Sequence, residues 1–205
     1  GMNKPLTVAE RDVMLADIRD ILAWCQEAVA LNEQIHTAHP EHACFATVRS
    51  NFLSMAGGNG ELELYHGGLR ARQPDGATLF DQFDYRGYRE VIREEVRPWS
   101  YMKFPFLIEL GKEQGWYRVG PLARMNNCDS IATPLAEAAR RRFKESGKGG
   151  FVHDTLAYHW ARMIEALHCA ESINVLLHDP YITGADLVAA HGDKRRGGIG
   201  VIEAP

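Results

Sequence analysis

No C-x-x-C pair occurs in this sequence, and its four cysteines, Cys25, Cys44, Cys128 and Cys169, lie far apart. That spacing excludes the dense disulfide framework of small secreted folds and reads as reduced thiols in a cytoplasmic protein. No window of about 18 consecutive apolar residues is present, so no segment is predicted to span a bilayer, and no signal peptide opens the chain. Positive charge is not concentrated either. The net charge is −4, and only Arg140–Arg142 and Lys194–Arg196 form basic runs. Counterion release therefore gives no drive toward nucleic acid or an anionic membrane, and neither is expected as a partner. G-x-S-x-G, Walker and H-E-x-x-H motifs are missing, as are internal repeats and βαβ alternation. What remains is a chain of 205 residues, 45% hydrophobic and 24% charged. That is the make-up of a soluble globular unit able to bury a core, read here as one domain over 2–205.

Thr7 and Glu10 form a capping box that opens a long helix. Met14, Ile18, Leu22, Cys25 and Val29 recur at helical spacing, with Ile21 widening the stripe, and His39-Pro40 ends it. The period then changes. Glu61–Tyr65 alternates, His66-Gly67-Gly68 reads as a turn, Leu69–Arg72 continues, and Gln73-Pro74-Asp75-Gly76 turns again before Ala77–Phe83. These segments predict a three-stranded antiparallel meander inserted at about 61–83. A short helix is expected over Tyr85–Val96, and Trp99–Asn127 has no clear period. Thr133-Pro134, N-cap then proline, starts a helix to about Gly147. The last helix is predicted over Asp154–Leu177, with Leu156, Trp160, Met163, Ile164, Leu167, Ile173 and Leu176 on its apolar face. The fold class expected is mainly α (α+β), long helices bundled beside the small meander.

Nine histidines raise the question of a metal. His36, His39 and His42 keep a three-residue rhythm but straddle Pro40, so a shared helix face is not required and solvated loop histidines are the plainer reading. His159 and His168 lie on opposing sides of the last helix, where core or partner-facing roles are expected. Gly197-Gly198-Ile199-Gly200 follows a basic loop and opens no helix, so it reads as a turn into a terminal strand rather than a dinucleotide loop. Cys128 and Cys169 are formal candidates for a nucleophile, yet a cysteine on an apolar helix is more often an inert buried thiol. From the residues alone, no catalytic constellation emerges.

Glu94-Glu95-Val96-Arg97-Pro98-Trp99-Ser100-Tyr101-Met102-Lys103-Phe104-Pro105 and Gly115-Trp116-Tyr117-Arg118-Val119-Gly120-Pro121-Leu122-Ala123-Arg124 resemble the W-S-Y-x-K-x-P … V-G-P-L-A-R signature of nickel–iron hydrogenase large subunits, particularly the cytoplasmic bidirectional, NAD-reducing type. Asn3–Thr7, Glu63–Arg70, Asp81–Tyr85, Thr133–Ala136, Leu156–Arg162 and Val201–Pro205 agree in the same order, while His36–Phe45 is the least family-like stretch. The resemblance implies the middle of a catalytic subunit that oxidises H2 or reduces protons at a nickel–iron centre. It also implies diaphorase subunits and a hydrogenase small subunit as partners.

Both family C-x-x-C pairs that hold the metals are missing, so the chain is expected to be a scaffold segment, cut at both ends and catalytically silent by itself, with no metal ligand and no cofactor of its own. Glu203, Ala204 and Pro205 are the residues the resemblance places near the metal centre. The alternative is a truncated hydrogenase-like binding or assembly module without catalysis. A weaker one is the related subunit of respiratory complex I. Trp99–Arg124 reads first as an irregular loop packed on the helices, with Arg118 and Arg124 pairing carboxylates. It reads second as part of a proton path or subunit contact, with Lys103 and Arg124 the residues to test. Apolar surface left where other segments would pack predicts self-association through the two long helices.

Overall fold

The computed structural model describes residues 4–187 and 197–202. The capping box forms as expected. Glu10 N–H donates to Thr7 Oγ1 at 3.2 Å, and Thr7 N–H donates to Glu10 Oε2 at 3.0 Å. They open helix α1, Val8–Ala38, which stops at His39-Pro40. Ile18 and Val29 are buried and Leu22 and Cys25 partly so, against the last helix, α5 (Ala157–Leu177). Met14 and Ile21, expected on the same stripe, stay exposed. At 31 residues α1 is about 46 Å long, and α5 covers only one side of it.

Two sheets form. The larger has the order β3-β2-β1-β6, with β1 Asn51–Ala56, β2 Gly68–Arg72, β3 Thr78–Phe83 and β6 Tyr117–Arg118. β1 pairs antiparallel with β2 (Phe52↔Arg72 to Ala56↔Gly68) and parallel with β6. The expected meander is thus half right: β2 and β3 are its second and third strands, but Glu61–Tyr65 is not the first. Glu63 Oε1 accepts from the N–H groups of Tyr65 and His66, at 2.7 and 2.8 Å, and closes that segment into a turn. Such local side-chain bonds compete directly with a strand ladder. The true first strand, β1, is buried at every residue. A strand covered on both faces shows no polar–apolar alternation, which hides it in the sequence.

The expected helix over Tyr85–Val96 is also corrected. A short 3-10 turn, Tyr85–Glu90, is capped by Asp84. Then β4 (Ile92–Val96) pairs antiparallel with β5 (Lys103–Leu107) in the register Ile92↔Leu107 to Val96↔Lys103. Cross-strand pairing overrides a weak helical pattern here. The stretch without a visible period therefore contains β5, a short helix α2 (Gly111–Gln114), β6 and helix α3 (Gly120–Asn127). Gly120 takes φ +76°, the left-handed backbone that favours glycine, so that α3 can turn under β1.

α3 is buried at seven of its eight residues and joins the layers through polar groups. Asn126 takes the place of a neighbouring strand: its side chain donates to Val152 O at 2.8 Å and accepts from Val152 N–H at 3.0 Å. Asn127 donates to Ser54 Oγ and Arg70 O. Arg70, on β2, donates to Asp81 and Asp129 and to the Asn127 carbonyl, tying both carboxylates and α3 to the sheet. Among the described residues the main core holds Phe52, Leu122, Met125, Phe143, Trp160, Ile164 and Leu167.

Helix α4, Pro134–Ser146, begins where expected but is not capped as expected. The Thr133 hydroxyl turns away to His168 Nδ1 at 2.9 Å. The carboxylate of Glu171 on α5 accepts from the Leu135 and Ala136 N–H groups instead, both at 2.9 Å. A buried anion at a helix N-terminus satisfies otherwise orphan donors and suits the helix dipole. Glu171→Ala is expected to cost about 1–2 kcal/mol by urea denaturation, with Thr133→Ala costing less. On α5, Ile173 and Leu176, expected in the core, are exposed, although Leu177 beside them is buried against Ile18 of α1. With α1's Val13, Met14, Ile21 and Trp24 they are the apolar surface behind the expectation of self-association.

Candidate functional site

A cleft of about 960 Å³ lies between the four-stranded sheet and the β4–β5 hairpin. Leu53, Leu69 and Val119 supply apolar wall, Arg93, Glu94 and Lys103 the charges, and residues 198–202 run along it. Lys103 Nζ donates to Glu94 Oε2 at 3.0 Å across the hairpin. Burial, reinforced by the Glu94 charge, pushes the Tyr117 hydroxyl up to about 12, so it stays protonated near neutrality. The described lining contains no cysteine or histidine; Ser54, Tyr88, Tyr117, Glu94 and Lys103 are among its polar side chains. Such a wall is suited to holding an apolar group or chain segment between charged edges.

The residues singled out from sequence do not converge on this cleft. Lys103 is in it. Arg124 is not among its lining residues and forms a bidentate pair with Glu165 of α5 at 2.6 and 2.9 Å. Its expected carboxylate partner is thus found. Arg118 differs: it donates to His153 O at 2.6 Å and Thr155 Oγ1 at 2.9 Å rather than to a carboxylate. Glu203, Ala204 and Pro205 lie outside the described residues, as do residues 188–196 with their basic run. Gly197–Ile202 has no regular structure, so the terminal strand expected after the glycines is not formed there. The Trp99–Arg124 block is not a loop packed on helices: Trp99 (74% exposed) and Tyr101 (99%) project at the β4–β5 turn.

The thiols do not fit a thiolate-held nickel–iron centre. Cys128 is buried and its thiol is pushed up to about 12 by burial, so it is protonated. Cys25 and Cys169 are likewise raised by burial, and Cys44 is exposed on another turn. No step is derived through such a centre. Among the described residues one ligand-type cluster does form, His39, Glu41 and His42. His36 is not part of it, since its Nε2 lies 3.5 Å from Asp154 and its ring packs on Trp160. Sequence reading weighed the histidines but missed Glu41. His159 is exposed, and His168 is half-buried against Thr133.

Burial makes the folded chain reluctant to take up protons. It lowers His168, and it lowers His153 despite the Pro74 carbonyl that accepts from its ring. It would raise Glu137, but hydrogen bonds from Arg140, Arg141 and the Ile131 N–H outweigh it and bring that carboxyl to about 2. In each case the folded chain binds fewer protons than the unfolded one, so stability falls as pH falls. The histidine contribution is complete above about pH 6.5 and is lost below it, and that of Glu137 is lost from about pH 4.5 toward 2. Denaturation midpoints measured from pH 8 to pH 2 should decline in these two stages, and His168→Gln should flatten the first.

No protein-family model matches the chain. It is similar over its whole length to the beta subunit of the NAD-reducing hydrogenase HoxS of Cupriavidus necator, with 39% identity, and covers 44% of that protein. The A-type subunit of the vhu F420-non-reducing hydrogenase of Methanocaldococcus jannaschii is 35% identical over the whole chain, which covers 49% of it. The iron-sulfur A-type subunit of the F420-non-reducing hydrogenase of Archaeoglobus profundus is 36% identical, again with the whole chain matched and 44% of the relative covered. A solved crystal structure of an NAD+-reducing NiFe-hydrogenase in the H2-reduced state superposes with a TM-score of 0.91 at 46% identity, covering all of this chain and 46% of that one. The chain thus spans about half the length of the relatives it matches.

These names correct the expectation drawn from the motifs. The relatives are a beta subunit and A-type subunits, one of them an iron–sulfur subunit, and none carries the name of a nickel–iron large subunit. The assignment to a scaffold segment of the catalytic large subunit is overturned with it. The coarser part stands: the likeness is to hydrogenase subunits, in an NAD-reducing setting for the first relative and the solved structure. No helix among the described residues is long and apolar enough to cross a membrane.

Proposed function

We propose that this chain serves as a segment of a hydrogenase-associated subunit of the beta or A type, holding together a multi-subunit, NAD-linked hydrogenase in the cytoplasm. The observation that carries the reading is the superposition of the entire chain, at TM-score 0.91 and 46% identity, on one chain of an NAD+-reducing hydrogenase. The physical character of the chain supports an assembly role. Trp99 and Tyr101 project from the β4–β5 turn, and one side of α1 is apolar and exposed. Aromatic residues displayed at a rigid turn are well suited to anchoring a partner surface. The partners proposed are the other hydrogenase and diaphorase subunits of the complex. The nickel–iron chemistry named for the solved neighbour takes, in this reading, its thiolates from elsewhere in the complex.

The test is to tag the protein in its own host, purify it under H2, and identify the co-eluting chains by mass spectrometry while assaying H2-dependent NAD+ reduction. Co-elution with further subunits and activity in the same fraction is the expected result. Elution alone, with the activity in other fractions, overturns the proposal.

A further inference from the structure

We infer that His39, Glu41 and His42 form a surface site for a borderline divalent transition metal: zinc, nickel or copper(II). The turn itself builds the site. After α1 ends, Pro40–Cys44 continues as a 3-10 helix with Pro40 in its first turn. His39 is the N-cap of that 3-10 helix, with φ −124° and ψ 67°, and His42 lies within it. His39 and His42 are three apart, and their rings stack with centroids 4.9 Å apart and planes 19° apart. Pro40, which argued against a shared helix face, lies in the turn across which the two rings meet. Glu41 reaches back to the same place, with Oε1 2.9 Å from His39 Nδ1.

One nitrogen from each ring and a carboxylate oxygen all lie within 4.8 Å of one another. Ligands about 2.0–2.1 Å from one tetrahedral zinc sit about 3.3 Å apart. Modest rotations of these surface side chains close the difference.

The donor set decides the ion. Two imidazoles and one carboxylate suit zinc, nickel and copper, whereas magnesium and calcium require oxygen ligands throughout. Three protein ligands leave a coordination position to water or to another molecule. The site shares no residue with the cleft, and His36, the third member of the sequence rhythm, is engaged with Asp154 and Trp160 instead.

Calorimetric titration of the metal-stripped protein with zinc chloride, repeated with nickel and magnesium, tests this. One equivalent of zinc or nickel should bind, with magnesium neither binding nor competing. His39→Ala and His42→Ala should each weaken zinc by more than the roughly 10- to 100-fold that loss of a ligand's outer partner costs. Glu41→Gln should weaken it less, and the control His66→Ala not at all. Unchanged zinc affinity in both histidine variants, or no stoichiometric uptake by the parent protein, overturns the site. A reading that needs no variant is copper(II) broadening of histidine ring signals in the parent protein: loss of the His39 and His42 resonances first supports it, and loss of other histidines first refutes it.

Discussion

Glu165→Ala is expected to destabilise the fold by about 3–5 kcal/mol, because it strips a buried guanidinium of its carboxylate. Arg124 on α3 and Glu165 on α5 meet through two hydrogen bonds of 2.6 and 2.9 Å, with side chains only 12% and 10% exposed. The effect belongs to the single removal. Two charges withdrawn together from water are costly, and their mutual attraction roughly offsets that cost, so a pair replaced as a whole by apolar groups of similar volume is often neutral. Arg124→Met combined with Glu165→Met should thus return most of the stability lost by Glu165→Ala. Urea denaturation of Arg124→Met, Glu165→Met and the double variant, beside Glu165→Ala, decides it. Additive losses would show that the two side chains act independently.

Phe143→Ala should cost a comparable amount, about 3–5 kcal/mol, through lost burial and the cavity left behind. Phe143 is fully buried on α4, and its ring meets Trp160 of α5 edge-on with centroids 5.1 Å apart. Trp160 in turn packs on His36 of α1, so one aromatic stack joins three helices. Phe143→Leu keeps most of the volume and should cost clearly less. If alanine and leucine cost the same, the stack geometry rather than the filled volume would be the source. Thermal unfolding at fixed pH separates these outcomes.

The long helices were legible because their signals are local. Thr7 and Glu10, the 3.6-residue period of Ile18 to Val29, and the proline after His39 are all read within one segment. β1 was not, since a strand buried on both faces carries no alternation and is defined by β2 and β6, the latter some sixty residues away. β4 was misread as helix because Ile92–Val96 becomes a strand only through its pairing with Lys103–Leu107. The same division holds for the polar sites. The histidine rhythm was visible, but which two of the three meet depends on the turn in which Pro40 lies. Glu171 and Glu165 gave no signal, since their partners lie on other helices. The family motifs placed the chain among hydrogenase subunits and named the wrong one.

The pairing of α1 with α5 has a consequence for how the protein is made. Ile18 shares its small core cluster with Ala170 and Leu177, so its partners are translated roughly 150 residues later. At about 5–20 residues per second, the emerging α1 waits on the order of 10–30 seconds at the ribosome with Ile18, Leu22 and Cys25 uncovered. A helix with that much apolar surface and so long a delay is a natural client for a chaperone that shields nascent chains. Synthesis without one should show its losses in the yield of folded protein rather than in the stability of what has folded.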